Sequence, residues 1–246
     1  SDLHSYHWDS LLNLIQHKYT QYDGFVILHG TDTMAYTASA LSFGINGLDK
    51  PVILTGSQVP LSGIRSDAQR NLINSVEIAT SDLPEVAICF NDRVYRGNRA
   101  TKMSVGDFDA FATPNYPSLA DIGLDIDFHK KNWLSSPTDY LTNGPSFHSG
   151  FSGNILVLTI HPGLQNNQLD SISLKGIDAI IIRAYGSGNF PIKGEYSWIP
   201  FLGRCKDSDL ITVITSQANY DAVNLKNYSA GKTALNFGVL SSGDMT

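Results

Sequence analysis

The sequence is poor in basic residues and in long apolar runs, and each shortage excludes a class of protein. It holds 17 Lys and Arg against 23 Asp and Glu, for a formal net charge of −6. Nucleic-acid-binding proteins neutralise phosphates with Lys and Arg, so this balance argues against a nucleic-acid partner. No apolar run approaches the roughly 18–20 residues that span a bilayer, which argues against a membrane partner.

Cysteine is also scarce, with two residues in 246, Cys89 and Cys205. Cys89 lies in a predicted buried strand, where a free cysteine behaves as a small hydrophobic residue. This usage fits a reducing compartment. The first residues lack the basic region and apolar stretch of a signal peptide. We therefore expect a cytoplasmic protein, and both ends of the sequence suggest a piece of a longer chain.

The seven histidines are dispersed along the chain. His4 and His7 have the i, i+3 spacing of one helix face, but no third ligand is near them in the sequence. We therefore expect no metal site. His29 directly follows an apolar run, and we expect it to be a core residue with hydrogen-bonded ring nitrogens.

Apolar runs suited to buried strands alternate with segments of helical periodicity, and 42% of the residues are hydrophobic. This alternation predicts βαβ units and a parallel sheet, hence an α/β protein. The strands are expected at 25–29, 51–55, 86–91, 155–160, 177–182 and 210–215, and the helices at about 8–19, 34–44, 66–80 and 195–205.

The alternation stops over a polar, turn-rich stretch, which we interpret as an interdomain linker at 127–150. The chain then divides into an N-terminal α/β domain, 1–126, and a C-terminal domain, 151–246. A chain of 246 residues is long enough for two such domains.

The first candidate for chemistry is the run His29-Gly30-Thr31-Asp32-Thr33-Met34, directly after the strand at 25–29. Open α/β sheets bind ligands just beyond the carboxyl ends of their strands. Thr31 could act as a nucleophile or activate water, and Asp32 could bind a substrate ammonium group or hold a lysine. The alternative is that both residues cap the next helix, because Thr and Asp satisfy its free backbone N–H groups.

The second candidate is Lys102, which follows the strand at 86–91. A lysine in the wall of a cleft can lose its hydration and take a proton from a hydroxyl group. The alternatives are a solvated lysine on a basic loop with Arg93, Arg96 and Arg99, or an anion-binding patch made by these residues.

Two further loops contain side chains suited to a site. Thr55-Gly56-Ser57-Gln58 follows the strand at 51–55 and could orient an amide, or form an ordinary turn. We expect Asp67 and Asn71, on the helix after it, to be structural. The loop Tyr185-Gly186-Ser187-Gly188-Asn189 is similar to a phosphate-binding loop but lacks its third glycine, so we expect no nucleotide.

Taken together, these segments resemble the bacterial-type L-asparaginases, in particular the cytosolic type I branch. The resemblance runs from end to end of the chain. It rests on 23–34, 55–58, 65–67, 95–99, Thr101-Lys102, 108–111 and 185–189.

The resemblance implies a larger N-terminal α/β domain, a smaller flavodoxin-like C-terminal domain and a homodimer or homotetramer. It also implies hydrolysis of asparagine through an acyl-enzyme without metal or cofactor. Thr31, Asp32 and Lys102 match the family's catalytic residues: the threonine activates water, the lysine carries its proton and the aspartate contacts the substrate amino group. Ser57 lies beside this site in the family, and Ser1 matches the end of a loop that binds the substrate carboxylate.

Two parts of the family pattern differ here. Family members begin with a strand and a Thr-Gly-Gly-Thr-Ile loop whose first threonine is the primary nucleophile, and we expect this segment in the parent protein rather than in this sequence. Some members also have an asparagine effector site near a Thr-Gln-Cys stretch. The matching stretch here is Ser216-Gln217-Ala218, while Thr101 and Arg183 fit such a site.

Two other functions fit the same scaffold. An amidotransferase subunit would supply ammonia for tRNA-bound glutamate, and it would need a basic surface or an additional domain. A non-catalytic homologue would bind asparagine or aspartate through Asp32 and Ser57 without turnover.

Overall fold

The structure is a computed structural model that describes residues 2–134, 144–151 and 153–245. The chain forms two compact units, Ser1–Ser152 and Gly153–Met245. The first unit therefore includes the described ends of the segment predicted as a linker. Within that segment, 135–143 lie outside the described residues.

The first unit holds three α-helices and ten strands among its described residues. The helices are Ser5–Lys18 (α1), Met34–Gly44 (α2) and Ala68–Ile78 (α3). The strands are Phe25–Leu28 (β1), Ile45–Asn46 (β2), Val52–Thr55 (β3), Val86–Phe90 (β4), Arg93–Arg96 (β5), Thr101–Lys102 (β6), Phe111–Ala112 (β7), Ala120–Ile122 (β8), Ile126–Phe128 (β9) and Ser146–Phe147 (β10).

The main sheet of this unit has six strands in the order β1-β3-β4-β5-β8-β9. Strands β1, β3 and β4 are parallel, as predicted, and the register pairs Leu28 with Thr55. All residues of β3 and β4 are buried and, apart from Thr55, they are apolar on both faces, as expected for a covered parallel sheet. The carboxyl ends of β1 and β3 consequently lie side by side.

The other half of the sheet is antiparallel, which the sequence did not predict. Strand β4 ends at Phe90 because Asn91 and Asp92 form a tight turn with φ of 44° and 64°. Asn and Asp tolerate this left-handed region better than most residues, and two-residue turns of this kind connect hairpin strands. The turn sends the chain back as β5 instead of into a helix.

A buried ion pair joins Glu85, the residue before β4, to Arg96 on β5, and both residues contact the segment after β9. Arg96 Nε and Nη2 donate to Glu85 Oε2 and Oε1 at 2.6 and 2.9 Å. Only 1% of the Glu85 side chain and 11% of the Arg96 side chain are exposed. The backbone N–H of Leu134 also donates to Glu85, and Arg96 donates to the carbonyl of Asn132.

The second unit is a four-stranded parallel sheet in the order β11-β12-β13-β14. Its core contains Trp198, Phe201, Leu202, Ile180, Ile182 and Ile214. The α/β class predicted from the sequence is confirmed, with shifts of no more than four residues at element ends. The elements are Ile155–Thr159 (β11), Asn166–Asp170 (α4), Ala179–Ala184 (β12), Ile199–Asp207 (α5), Ile211–Ser216 (β13), Ser229–Leu235 (α6) and Leu240–Ser241 (β14).

Both cysteines are buried and free, so the prediction for Cys89 is confirmed. Burial raises the pKa of the Cys89 thiol to about 12. This thiol therefore stays protonated at neutral pH and serves as part of the apolar core.

Candidate active site

The loops after β1 and β3 meet at one edge of the main sheet. The backbone N–H of His29 donates to the carbonyl of Thr55 at 2.8 Å. A Cβ atom on Gly56 would lie 2.2 Å from the carbonyl oxygen of His29, so only glycine permits this approach. The Ser57 loop is therefore held beside the loop that carries Thr31 and Asp32.

Lys102 reaches this edge from β6, which pairs with β7. Its Nζ donates to Thr31 Oγ1 at 2.8 Å and to Asp32 Oδ1 at 2.7 Å. The Lys102 side chain is only 16% exposed, whereas that of Asp32 is 75% exposed. The lysine is thus a partly desolvated group held by two acceptors, and the interpretation as a solvated surface lysine is wrong.

The capping interpretation of Thr31 and Asp32 is also wrong. Helix α2 begins at Met34, so Thr33 occupies the capping position. Among the described residues, the Thr33 side chain finds no capping hydrogen bond. Thr31 and Asp32 precede that position, and both contact Lys102 instead.

The neighbouring arginines do not form an anion-binding patch, because each is engaged within the protein. Arg96 is paired with Glu85, as described above. The guanidinium of Arg93 lies 3.8 Å from Asp121, and Arg99 donates to a backbone carbonyl.

Two buried polar residues support the Ser57 loop. The Asp67 carboxylate accepts hydrogen bonds from the backbone N–H groups of Gln58 and Val59 at 3.0–3.1 Å. Asn71 Nδ2 donates to the carbonyl of Gly56 at 2.9 Å and to Asp67. The structural interpretation of Asp67 and Asn71 is confirmed, and they fix the path of the loop that carries Ser57.

Gln58 connects this loop to the β6–β7 hairpin, a link that sequence reasoning missed. Its Nε2 donates to the carbonyl of Asp107 at 2.9 Å. The bond joins two segments about fifty residues apart through a backbone carbonyl, so no pattern of side-chain types along the sequence could have shown it. The hairpin that carries Lys102 and the Ser57 loop are thereby tied together.

His29 is half-buried rather than a core residue, because β1 lies at the edge of the described sheet. Both ring nitrogens have partners, as predicted: Nδ1 lies 2.7 Å from the carbonyl of Gly30 and Nε2 lies 2.8 Å from Thr37 Oγ1. Trp8 Nε1 also donates to Thr37 Oγ1. This chain of contacts orients the turn that precedes Thr31.

The remaining predicted site residues lie on other elements or outside the described part. Thr101 is half-buried on β6 of the first unit, and Arg183 is exposed on β12 of the second. Gln217, in the stretch matched to the effector site, donates to the carbonyls of Ile160 and Arg183. Ser1 lies outside the described residues.

Two other kinds of feature are absent within 2–134, 144–151 and 153–245. No group of three or more His, Cys, Asp or Glu in these ranges is placed to hold a metal ion. Of the helices described, none is long and apolar enough to cross a membrane.

The contact with Lys102 lowers the pKa of the Asp32 carboxyl group below its usual range. The hydrogen bond from the ammonium group is the larger cause, followed by its positive charge. A carboxyl whose pKa is lowered on folding stabilises the protein above its unfolded pKa. That contribution is lost as the pH falls through the lower pKa of the folded state. Because this pKa is lowered, Asp32 remains a carboxylate throughout the neutral range.

We expect NMR titration to show this dependence directly. In the wild type, the Asp32 carboxyl carbon should titrate below the usual value of about 3.9. In Lys102→Met the midpoint should rise into the usual range, because both the donor and the charge are removed. Equal midpoints in the two proteins would contradict the assigned ion pair.

Comparison of the sequence with known proteins identifies two matching family models. The family model "Asparaginase, N-terminal" matches residues 1–134, and "Glutaminase/Asparaginase C-terminal domain" matches 154–246. L-asparaginase 1 of Escherichia coli (strain K12) is 40% identical over 247 residues, covering 100% of this chain and 71% of that protein.

A solved structure and a more distant relative complete the comparison. The thermostable L-asparaginase from Thermococcus kodakarensis superposes with a TM-score of 0.91 at 32% identity, covering 100% of this chain and 72% of that one. A glutamyl-tRNA(Gln) amidotransferase component from Pyrococcus abyssi is 32% identical, over 99% of this chain but only 56% of that protein.

Proposed function

Because the chain belongs to the asparaginase family, we propose that it is an amidohydrolase that converts L-asparagine to L-aspartate and ammonia. The observation that carries the proposal is the double hydrogen bond from Lys102 to Thr31 and Asp32. It joins a hydroxyl, an amine and an accessible carboxylate beyond the carboxyl ends of the parallel strands, where α/β sheets bind ligands.

The reaction must replace the amide nitrogen of the substrate side chain by a water oxygen. In an acyl-enzyme route, a threonine hydroxyl oxygen bonds to the amide carbon, the C–N bond breaks and ammonia leaves with the hydroxyl proton. Water then adds to the resulting ester, the C–O bond to threonine breaks, and aspartate is released. Each half needs a group that accepts and returns a proton.

Thr31 and Lys102 are suited to the proton transfer of the second half. When Lys102 is an ammonium group, its N–H donates to Thr31 Oγ1, as the structure shows. When it is neutral, the Thr31 hydroxyl can donate to Nζ and its oxygen can accept a proton from attacking water. The pair can thus transfer one proton from water to the amine while both side chains keep their positions.

Asp32 is suited to the substrate's α-ammonium group because most of its side chain faces solvent. A substrate cation there competes with Lys102 for the same carboxylate. We assign Ser57, on the neighbouring loop, and Ser1 to substrate binding.

The remaining parts of the proposal follow from the family resemblance. We infer a homodimer or homotetramer, a cytoplasmic location and no cofactor, and a role in effector binding stays a prediction for Thr101 and for Arg183. L-asparagine is the small-molecule partner. No nucleic-acid partner is assigned, and the engagement of Arg93, Arg96 and Arg99 by protein groups supports that assignment.

Ammonia release combined with calorimetry distinguishes this proposal from its two rivals. For the parent protein, which we expect to carry the primary nucleophile, we expect ammonia from L-asparagine in a coupled assay and binding of L-aspartate by calorimetry. Aspartate binding without turnover would favour a non-catalytic homologue. Turnover that depends on a tRNA-bound acceptor would favour an amidotransferase component, the function named for the more distant relative.

A further inference from the structure

The β6–β7 hairpin that carries Lys102 is a small element. Its strands form a separate two-stranded sheet, in which Lys102 pairs with Phe111. A further backbone hydrogen bond runs from the N–H of Met103 to the carbonyl of Ala110 at 2.8 Å. Because a two-stranded hairpin alone is only marginally stable in water, contacts with the rest of the unit decide where Lys102 lies.

The turn of this hairpin is exposed at every residue from 105 to 109, so burial does not fix it. Val105 is 88% exposed. On one side of the turn, Arg93 approaches Asp109 at 4.0 Å, but these two side chains are 54% and 53% exposed. Exposed ion pairs of this kind contribute little to stability, so this contact holds the turn weakly.

Gln58 supplies a second contact with the turn. Its Nε2 donates to the carbonyl of Asp107 at 2.9 Å and, more weakly, to that of Val105 at 3.4 Å. A primary amide has two N–H donors, so one side chain can bind both carbonyls at once. The Gln58 amide therefore holds the exposed turn at two points that are two residues apart.

Gln58 is itself held in place by buried groups. Its backbone N–H donates to both carboxylate oxygens of Asp67, at 3.1 and 3.0 Å, and Asp67 is only 7% exposed. Asn71, which donates to the same carboxylate, is 1% exposed. The contact with the turn therefore starts from a fixed point of the unit.

The position of the turn matters for Lys102, which lies three residues before Val105. Lys102 Nζ is 2.8 Å from Thr31 Oγ1 and 2.7 Å from Asp32 Oδ1, the usual range for charge-assisted hydrogen bonds. A misplacement of 1 Å at a reacting group can cost about 100-fold in rate. Among the described contacts, the Gln58 side chain bonds to the hairpin backbone, so its effect reaches Lys102 through the hairpin.

We propose that Gln58 is a positioning residue whose side-chain amide holds the β6–β7 turn so that Lys102 stays within hydrogen-bonding distance of Thr31 and Asp32. Its effect on turnover rests on the proposed function, whereas the position of Lys102 can be measured without turnover. The Asp32 carboxyl group reports that position, because the contact with Nζ lowers its pKa.

The first test is NMR titration of the Asp32 carboxyl carbon in Gln58→Met. Methionine keeps the length of the side chain and removes both N–H donors. We expect the midpoint to rise by about 0.5 pH unit towards that of Lys102→Met, because the ammonium group moves away from the carboxylate. Gln69→Met is the matched control, since Gln69 is exposed on α3, and its midpoint should equal that of the wild type.

Steady-state ammonia release by the parent protein gives the second readout. Gln58→Met should lower kcat for L-asparagine about tenfold, because the proton acceptor is displaced. KM should change less than about threefold, because the residues assigned to substrate binding are left in place. Gln69→Met should keep both constants at their wild-type values.

A second substitution, in the turn, tests whether Gln58 acts through the hairpin. A Cβ atom on Gly106 would meet no described atom within 4 Å, and its φ lies outside the left-handed region, so alanine fits there. Alanine restricts the disordered turn more than glycine does, which favours the ordered hairpin about twofold to fivefold. The double variant Gln58→Met/Gly106→Ala should therefore recover part of kcat and part of the wild-type Asp32 midpoint.

The outcomes separate the positioning role from the proposed function. A lower kcat with an unchanged Asp32 midpoint in folded Gln58→Met would overturn the role, because Gln58 would then act elsewhere. Wild-type values of both quantities in Gln58→Met, or no recovery on adding Gly106→Ala, would also overturn it. A raised midpoint in a parent protein that releases no ammonia would support the positioning of Lys102 and contradict the proposed function alone.

Circular dichroism shows whether each variant is folded. Gln58→Ala removes the same two donors and replaces Gln58→Met in both measurements if the methionine variant does not fold. The expected directions of the Asp32 midpoint and of kcat are the same for the two substitutions.

Discussion

Lys102→Met is expected to lower kcat for L-asparagine by about 10²–10⁴-fold, the usual contribution of general acid–base catalysis. Methionine has a similar length but no proton to donate or accept. In the variant, Thr31 loses the hydrogen bond from Nζ and Asp32 loses its cation. Steady-state ammonia release, measured over a range of asparagine concentrations, gives kcat and KM separately.

Two controls make this result specific. Lys131→Met removes an exposed lysine of the same unit and should leave kcat unchanged. Thr31→Ser keeps the hydroxyl and should retain much of the activity, whereas Thr31→Val should resemble Lys102→Met. Ammonia release at the wild-type rate by folded Lys102→Met would show that the lysine has no role in the proton transfer.

Removal of one partner from the Glu85–Arg96 pair should destabilise the first unit by about 3–5 kcal/mol, because the other charge stays buried without a counterion. The pair is bidentate and nearly inaccessible to solvent. Arg96→Met also removes the hydrogen bond to Asn132. Urea denaturation followed by tryptophan fluorescence measures the loss.

The matched control is Arg93→Met on the same strand. Its ion pairs are 3.8 and 4.0 Å long and its side chain is 54% exposed, so the cost should be below about 1 kcal/mol. The double variant Glu85→Gln/Arg96→Met should be less unstable than the two single losses added together. Equal costs for Arg93→Met and Arg96→Met would contradict the assigned role of the buried pair.

The parallel strands were predictable because their apolar runs are long and uninterrupted. Strands 25–29, 51–55 and 86–91 were each placed within one residue of β1, β3 and β4. The antiparallel half was not predictable in the same way. Its strands are short. In the sequence, the arginines of β5 form a basic cluster, and the pairing of Arg96 with Glu85 becomes visible only in the folded structure.

The candidate site shows the same division. Positions just beyond parallel strand ends can be inferred from sequence, and this rule selected Thr31, Asp32 and Ser57. The distances that join Lys102 to Thr31 and Asp32 depend on the β6–β7 hairpin, whose strands are two residues each. Gln58 donates a hydrogen bond to a backbone carbonyl of that hairpin. Such contacts cannot be predicted from residue types, because every residue has a backbone carbonyl.

The most direct test of the central claim is coupled ammonia release from L-asparagine by the purified, folded protein, with L-glutamine assayed in parallel. The account predicts turnover of asparagine that is lost in Lys102→Met and retained in Lys131→Met. Absence of ammonia from asparagine in a folded sample of the parent protein, with the segment that carries the primary nucleophile, would contradict the assignment as an amidohydrolase.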